Sequence, residues 1–221
     1  MKKQNLWSII PMSFLMGIIA LSVNNGCNCT GTGGELLPVA PSNLTATSVY
    51  ADQIDLSWKD NSNNEGGFYV YRKTGAMNYS KIAYLNSNAT SYSDDSLNPN
   101  TTYWYQVAAH NNEGEAKSNE VQATTPAKVE ILNHNFTCEY NGYLNEWITE
   151  IEGNAKNNTR ETLSYVSISA RLYDSDNILQ DTTLANINDF PSGDTWHFVM
   201  IPCYTDRQIV RVEVWVDTIW E

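Results

Sequence analysis

The sequence predicts an all-β protein that contains two tandem antiparallel β-sandwiches after an N-terminal signal segment. Three observations lead to this fold class. Apolar and polar residues alternate along many short segments, which is the period of a half-buried strand. Turn residues separate these segments, and no helical periodicity is visible in the C-terminal half. Aromatic residues, which favour strands, make up 11% of the 221 residues.

The N-terminus has the composition of a secretion signal. Lys2 and Lys3 precede an apolar run from Trp7 to Val23, and a basic start followed by such a run is typical of a signal peptide. The run is near the lower limit for crossing a bilayer, so an uncleaved membrane anchor is an alternative. We expect residues 1–26 to be the leader and residues 27–37 to be a flexible tether. The mature chain is then extracytoplasmic.

The residues around the first cysteine resemble a bacterial lipoprotein leader. Gly26 directly precedes Cys27, and the resemblance implies that Cys27 carries a lipid. Ordinary cleavage after Ser22 is the alternative. The membrane is therefore an expected partner, through a lipid anchor or a signal anchor.

Residues 38–125 are expected to form the first sandwich, in which the central strand follows a proline-containing corner. Pro99 fixes the backbone of the corner, and the Tyr103 hydroxyl is expected to reach back and bond it. Strict alternation then places Tyr105 and Val107 on the same inner face as Tyr103. The other predicted strands, in chain order, are Leu44–Val49, Ile54–Trp58, Phe68–Arg72, Lys81–Leu85, Ser91–Ser93 and a last strand near Asn119–Ala123.

The motifs of this segment resemble a fibronectin type III domain along its whole length. They are, in order, Pro41 with Leu44 and Ala46; Ile54, Leu56 and Trp58; Phe68, Val70 and Arg72; Leu97, Pro99, Thr101, Tyr103, Tyr105, Val107 and Ala109; and Asn112 with Gly114. The resemblance implies an immunoglobulin-like sandwich that acts as a spacer or a binding module. The Arg-Gly-Asp tripeptide by which some members bind integrins is missing, so that activity is not expected.

The fold alone does not account for one group of aromatic residues. If Phe68 and Val70 point inward, Tyr69 and Tyr71 point outward, and Trp104 points outward from the neighbouring strand. Three aromatic rings on one solvated face are suited to stacking on a sugar or a peptide, so these three residues are the candidate ligand site. The alternatives are that the rings only stabilise the sheet, or that the second module covers them.

Residues 128–221 are expected to form the second sandwich, because the period-2 pattern resumes there. The predicted strands are Trp147–Gly153, Val166–Tyr173, Ile178–Leu179, Thr195–Met200 and Ile209–Ile219. The motif Ala170–Asp174, with Gly153 before it and Phe198 after it, resembles the FxLYD family of extracytoplasmic modules. That resemblance implies an immunoglobulin-like sandwich without catalytic residues. The predicted fold is thus two tandem immunoglobulin-like sandwiches.

Two cysteines lie near the start and the end of the second module. Outside the cytoplasm disulfides persist, so a bridge between Cys138 and Cys203 is expected. It would close a long loop and stabilise the module by roughly 2–4 kcal/mol. Two buried free thiols are the alternative.

Charge and missing motifs exclude several function classes. The net charge of −12 repels phosphate backbones, so no nucleic-acid partner is expected. No histidine lies at metal-ligand spacing from a second ligand, and no metal, cofactor or catalytic residue is expected. The spacing of Asp174 and Asp176 suggests calcium, but Ile178 and Leu179 interrupt the order of oxygen ligands and favour a solvated hairpin turn.

The sequence therefore predicts a non-catalytic, surface-anchored or secreted binding or adhesion protein. Its expected partner is an extracellular glycan, peptide or protein, which the surfaces of the sandwiches recognise. A passive structural spacer or an assembly subunit of the cell envelope is the alternative function. A weaker alternative is an accessory module for an extracellular hydrolase.

Overall fold

The structure is a computed structural model that describes residues 36–221, and it confirms the predicted all-β class. The described residues belong to one compact unit. The predicted leader, most of the predicted tether and the proposed lipid site at Cys27 lie outside the described residues. Within residues 36–221, no helix is long and apolar enough to cross a membrane.

The first sandwich contains eight strands in two sheets. The strands are β1 (Ser42–Tyr50), β2 (Gln53–Lys59), β3 (Gly67–Thr74), β4 (Ser80–Asn86), β5 (Ser91–Asp94), β6 (Thr102–Asn111), β7 (Gly114–Lys117) and β8 (Val121–Thr124). One sheet has the order β1-β2-β5. The other has the order β4-β3-β6-β7, and β8 also pairs with β6. All of these pairings are antiparallel.

The core between these sheets consists of the inward residues that alternation predicts. Ile54 and Leu56 on β2 pack with Phe68 on β3 and Tyr105 on β6, and all four are buried. The predicted tyrosine corner is confirmed, because the backbone N–H of Asn98 donates to the Tyr103 hydroxyl at 2.9 Å. This bond fixes the start of β6 and so fixes which residues of β6 face outward.

The second sandwich contains seven strands. They are β9 (Val129–Asn141), β10 (Glu146–Asn157), β11 (Leu163–Tyr173), β12 (Leu179–Phe190), β13 (Thr195–Val199), β14 (Cys203–Thr205) and β15 (Arg211–Trp220). In one sheet β10 pairs with β9, β13 and β14, and the other sheet has the order β12-β11-β15. The core between them includes Ile151, Ile168, Leu172, Phe190 and Phe198.

Gly153 allows the core of the second sandwich to close. It lies opposite Phe198 in the register of β10 and β13. A Cβ atom at this position would lie 2.5 Å from Cζ of Phe198 and 2.4 Å from the backbone oxygen of Asn133. The aromatic ring therefore occupies the space that any side chain at residue 153 would need.

The structure adds strands that the sequence patterns do not predict. The predicted last strand of the first sandwich corresponds to β8, and β7 is an additional strand before it; both pair with β6. Strands β9 and β14 are additional, and β12 extends eleven residues beyond Leu179. Polar residues such as Thr183 occupy inward positions of β12, and this weakens the apolar alternation by which a strand is recognised.

Candidate binding surfaces

The predicted ligand residues all lie on the outer face of the sheet that contains β3 and β6. In the register Tyr71 faces Gln106, whereas Trp104 faces Lys73, so Trp104 is a diagonal neighbour of Tyr71. The rings of Tyr69 and Tyr71 are 6.5 Å apart between centroids, in an edge-to-face arrangement. All three aromatic side chains are half-buried. The structure thus brings the two tyrosines together and places the tryptophan further along the same face.

Lysine side chains of the same sandwich cover these rings. The distances from the ammonium nitrogen to the ring centroid are 3.0 Å for Lys81 and Tyr69, 4.5 Å for Lys117 and Tyr71, and 5.9 Å for Lys73 and Trp104. The Tyr71 hydroxyl donates to Glu115 at 2.6 Å, and burial together with this bond raises the pKa of Tyr71. A ligand that stacks on this face would have to displace the lysines, each of which gains about 0.5–1 kcal/mol from its ring.

Two further aromatic side chains extend this face beyond the predicted set. His110 stacks on Tyr69 with centroids 4.1 Å apart and an interplanar angle of 17°. Tyr84 on β4 lies opposite Tyr69 in the register, with centroids 5.5 Å apart. The alternation along β6 also places His110 on the same face as Trp104, so the sequence contained a signal for the histidine. The place of Tyr84 on this face could be predicted only from the pairing between β3 and β4, which no local pattern indicates.

A second aromatic face, which no local sequence pattern indicates, lies on the outside of the β12-β11-β15 sheet. Tyr165 pairs with Trp220, and their ring centroids are 5.0 Å apart. Trp215 lies opposite Ser169, and Tyr173 ends β11. The Tyr165–Trp220 pair, Trp215 beside Ser169, and Tyr173 are therefore three aromatic positions along β11. Residues 165, 169 and 173 are four residues apart in turn, so these positions follow each other at intervals of about 13 Å. Trp220 is 62% exposed.

A groove of about 450 Å³ crosses the middle of this second face. Its lining comes from adjacent strands and from the segment that follows β13, and it includes Ser169, Arg171, Thr182, Leu184, Ile201 and Trp215. The guanidinium carbon of Arg171 lies 4.9 Å from the ring centroid of Trp215. This volume is in the range that is usual for ligand sites.

The two sandwiches are joined by direct hydrogen bonds and ion pairs. The backbone N–H of Ala51, in the turn between β1 and β2, donates to the backbone oxygen of Asn158 at 2.7 Å. Arg160 forms an ion pair with Asp52 at 3.2 Å and a second one with Asp95. These contacts connect the end of the first sandwich to the loop after β10, so the junction is more than a flexible linker. A cavity of about 500 Å³ lies beside them.

The predicted disulfide between Cys138 and Cys203 is wrong, because both cysteines are free in the structure. Cys138 on β9 and Cys203 on β14 pair with the same residue, Thr149, from opposite sides of β10. Two strand spacings separate their Cα atoms by about 9–10 Å, whereas a disulfide requires less than about 7 Å. Burial raises the pKa of the Cys203 thiol to about 11.

The turn after β11 is exposed to solvent from Ser175 to Ile178, as expected, but Asp174 at its start is buried and anchors the turn. Asp174 is only 3% exposed, and its carboxylate accepts the backbone N–H groups of Asp176 and Ile178 at 2.9 Å. It also forms an ion pair with Arg207. The hydrogen bond from Arg207, together with the backbone amides, lowers the pKa of Asp174. Within residues 36–221, no group of three or more His, Cys, Asp or Glu side chains is placed to hold a metal ion.

The comparisons with known proteins identify the class of the first sandwich. Residues 39–124 match the family model of the fibronectin type III domain. This sandwich is therefore a fibronectin type III domain, a fold that is typically non-catalytic and serves for binding or as a spacer. The resemblance that the sequence motifs indicated is confirmed for this part of the chain.

Similar proteins share this part of the chain. An alpha-amylase from Niallia circulans is 33% identical over 115 residues, which are 50% of this chain and 8% of that protein. The FN5 domain of Drosophila Lar is 23% identical and covers 41% of this chain and 98% of its own, with a TM-score of 0.35. A domain of human fibronectin type III domain containing protein 3 is 21% identical and covers 44% of this chain and 94% of its own, with a TM-score of 0.36. The chain thus spans only a small part of the amylase.

Proposed function

We propose that this protein is an extracytoplasmic, non-catalytic binding protein that recognises a glycan, a peptide or a protein through the outer faces of its sandwiches. The observation that carries this proposal is the placement of aromatic rings on outer sheet faces. Tyr69, Tyr71 and Trp104 lie on one face, and Trp215 and Trp220 lie on another. Aromatic rings offer a large contact area at a small cost in side-chain entropy, which favours recognition.

Binding arrays with the full mature chain test this function. Trp104→Ala and Trp215→Ala, made singly and together, remove a ring from each face. The control is Tyr143→Ala, because Tyr143 is 96% exposed in a hairpin turn and belongs to neither sheet face. We expect at least one tryptophan variant to lose ligand while its melting temperature stays near that of the wild type. Unchanged binding by the double variant would contradict the proposal.

A rigid spacer is a second candidate, and the junction favours it. Ala51 and Asn158 share a backbone hydrogen bond, and Arg160 connects to two acidic side chains of the first sandwich. Replacing Arg160 with alanine should broaden the distribution of inter-module orientations, which small-angle X-ray scattering measures. The exposed Lys59 supplies a control variant that leaves the junction intact. A spacer role would be refuted if the wild-type chain already sampled a broad distribution.

An accessory role beside an extracellular hydrolase is a third candidate. It is supported by the alpha-amylase, 33% identical over 115 residues. If this role is correct, the purified protein should retain an amylase on insoluble starch in a co-sedimentation assay. Equal sedimentation of the amylase with and without this protein would count against it.

We propose that the mature chain reaches its site through the N-terminal leader and that Cys27 is its lipid anchor. The apolar run and the Gly26–Cys27 pair support this. We also propose that the second sandwich is an FxLYD-like module, because Ala170–Asp174 ends a central strand and Gly153 packs beneath Phe198. The intact mass of the purified mature protein tests the anchor, since cleavage after Ser22 without lipid would yield a different mass.

A further inference from the structure

We propose that the outer face of the β12-β11-β15 sheet binds a neutral polysaccharide chain and that Trp215 is its central stacking residue. This inference rests on the proposed binding function, since it assigns a ligand class to one of the faces that serve it. Three features of this face support it: the spacing of the aromatic rings, the groove beside Trp215 and the charge of the groove lining.

The aromatic positions fit an extended ligand. The Tyr165–Trp220 pair, the Trp215 position and Tyr173 follow one another along β11 at intervals of about 13 Å. This interval is longer than a single sugar ring, so one monosaccharide cannot contact two positions. A chain of sugars can, because the apolar faces of its rings can lie on successive aromatic side chains.

Short polar side chains lie between the Tyr165–Trp220 pair and Trp215, whereas the charged side chains of Arg171 and Glu213 lie between Trp215 and Tyr173. Ser167, which separates Tyr165 from Ser169 on β11, is itself buried. Its neighbours in the register are the exposed Asn186 on β12 and the half-buried Thr218 on β15, and these two side chains reach the surface. Hydroxyl and amide groups both donate and accept hydrogen bonds, as sugar hydroxyls do. The short side chains also leave the neighbouring rings as the higher points of the face.

The groove gives the central position a defined shape. It spans the sheet from Trp215 on β15, across Ser169 and Thr182, to Ile201 beyond the edge of β12. Arg171 lies over the indole of Trp215 and restrains its orientation. A ring that is held in place before binding loses less entropy when a ligand stacks on it.

The charge of the groove favours a neutral ligand. Its lining contains one cation, Arg171, and one anion, Asp181. The whole chain carries a net charge of −12, so a polyanion is repelled at long range. A polycation would be attracted to the chain in general, but this groove holds no acidic cluster to select it.

The first sandwich provides the contrast. There Lys81 and Lys117 lie over the outward tyrosine rings, and Glu115 bonds to Tyr71. Those rings already have partners within the domain. Two rings of the second face also have cationic partners, since the guanidinium carbon of Arg171 lies 4.9 Å from the Trp215 ring centroid and that of Arg211 lies 3.7 Å from the Tyr173 ring centroid. Trp220, by comparison, is 62% exposed and contacts another aromatic ring, so its position can accept a ligand without displacing an ion.

The experiment is affinity electrophoresis and isothermal titration of the full mature chain. The neutral probes are soluble starch, β-glucan, xylan and galactomannan, and polygalacturonate is the acidic probe. The variants are Trp215→Ala, Trp220→Ala and the ring-preserving Trp215→Phe. Tyr143→Ala, in an exposed hairpin turn outside both sheet faces, is the control. Trp104→Ala is the comparison variant on the face of the other sandwich, and circular dichroism with thermal melting verifies the fold of each variant.

We expect the wild type to bind at least one neutral polysaccharide. Trp215→Ala should weaken this binding by about tenfold or more, as expected for a central aromatic contact. Trp215→Phe should retain most of the affinity, and Tyr143→Ala should change it by less than about twofold. If Trp215→Ala fails to fold, the loss of affinity in the exposed Trp220→Ala variant supports the inference instead.

Several results would overturn the inference, and they separate it from the proposed function. Tighter binding to polygalacturonate, or a loss of neutral polysaccharide in Trp104→Ala but not in Trp215→Ala, refutes the assigned face or ligand class while binding as a function stands. If the protein binds a peptide or another protein but no polysaccharide, the assigned ligand class is likewise refuted while binding as a function stands. Failure to bind any polysaccharide, peptide or protein refutes the inference and the proposed function together.

Discussion

The Asp94 carboxylate connects the two sheets of the first sandwich, and replacing it with alanine should be among the most damaging changes in this domain. Asp94 on β5 is 4% exposed. Both of its oxygens lie 2.9 Å from a guanidinium nitrogen of Arg72, and one also accepts the Tyr105 hydroxyl at 2.8 Å. Arg72 and Tyr105 belong to the opposite sheet.

The magnitude follows from what Asp94→Ala leaves behind. Removing one partner of a fully buried ion pair costs about 3–5 kcal/mol, and a buried hydroxyl without a partner costs about 1–3 kcal/mol. The Arg72 side chain is 31% exposed, so water can reach part of its charge and reduce the first cost. We therefore expect a loss of about 3 kcal/mol in the free energy of unfolding.

Urea unfolding monitored by circular dichroism measures this loss. Tyr105→Phe removes one hydrogen bond but leaves the ion pair, and it should cost about 1 kcal/mol. Glu113→Ala, at an exposed turn, is the control for removing an acidic side chain and should change stability by less than about 0.5 kcal/mol. A cost for Asp94→Ala no larger than that of Tyr105→Phe would refute the reasoning.

Three further predictions concern the second sandwich. In the unfolded, non-reduced protein Cys138 and Cys203 should each be alkylated as a free thiol, and a disulfide-linked peptide pair that contains both residues would contradict this. Gly153→Ala should lower the free energy of unfolding by about 1–3 kcal/mol, because the new methyl group collides with a core ring; an unchanged urea midpoint would refute this. Asp174 has a lowered pKa in the folded state, so its stabilisation is present above the unfolded pKa of about 3.9 and is lost as the pH falls below it. Asp174→Asn should therefore flatten the acid limb of a plot of melting temperature against pH, and an equally steep limb would count against the ion pair with Arg207.

Local alternation predicted the inward residues well. Ile54, Leu56 and Trp58 are all buried on β2, because a strand that faces one core has a side-chain period of two. The tyrosine corner was also predictable, since Pro99 and Tyr103 are close in sequence and the bond between the corner and the hydroxyl is local.

Features that depend on strand register were not predictable from local patterns. Trp215 lies opposite Ser169 although 46 residues separate them in the chain, and only the pairing of β11 with β15 reveals the aromatic face. The predicted disulfide failed for the same reason, because Cys138 and Cys203 lie on opposite sides of β10. The two cysteines lie near the start and the end of the second module in the sequence, but this does not indicate the order of their strands in the sheet.

The side chains that surround the predicted ligand residues could not be predicted from the sequence patterns either. The orientation of Tyr69 and Tyr71 followed from alternation, whereas the lysines above them come from β4 and β7. Long side chains from neighbouring strands can cover an outward ring, so outward orientation does not establish an open face. On the second face Arg171 and Arg211 lie over Trp215 and Tyr173 in the same way. That face is the stronger candidate for ligand stacking because Trp220 is exposed and a groove lies beside Trp215.

The most direct test of the binding account is a titration followed through the indole N–H resonances of the tryptophans by nuclear magnetic resonance. The titrant is the neutral polysaccharide that binds best in affinity electrophoresis. We predict chemical-shift changes at Trp215 and Trp220, with little change at the buried Trp58 and at Trp104. Shifts confined to Trp104, or no shift at any indole when the ligand is in excess, would contradict the account.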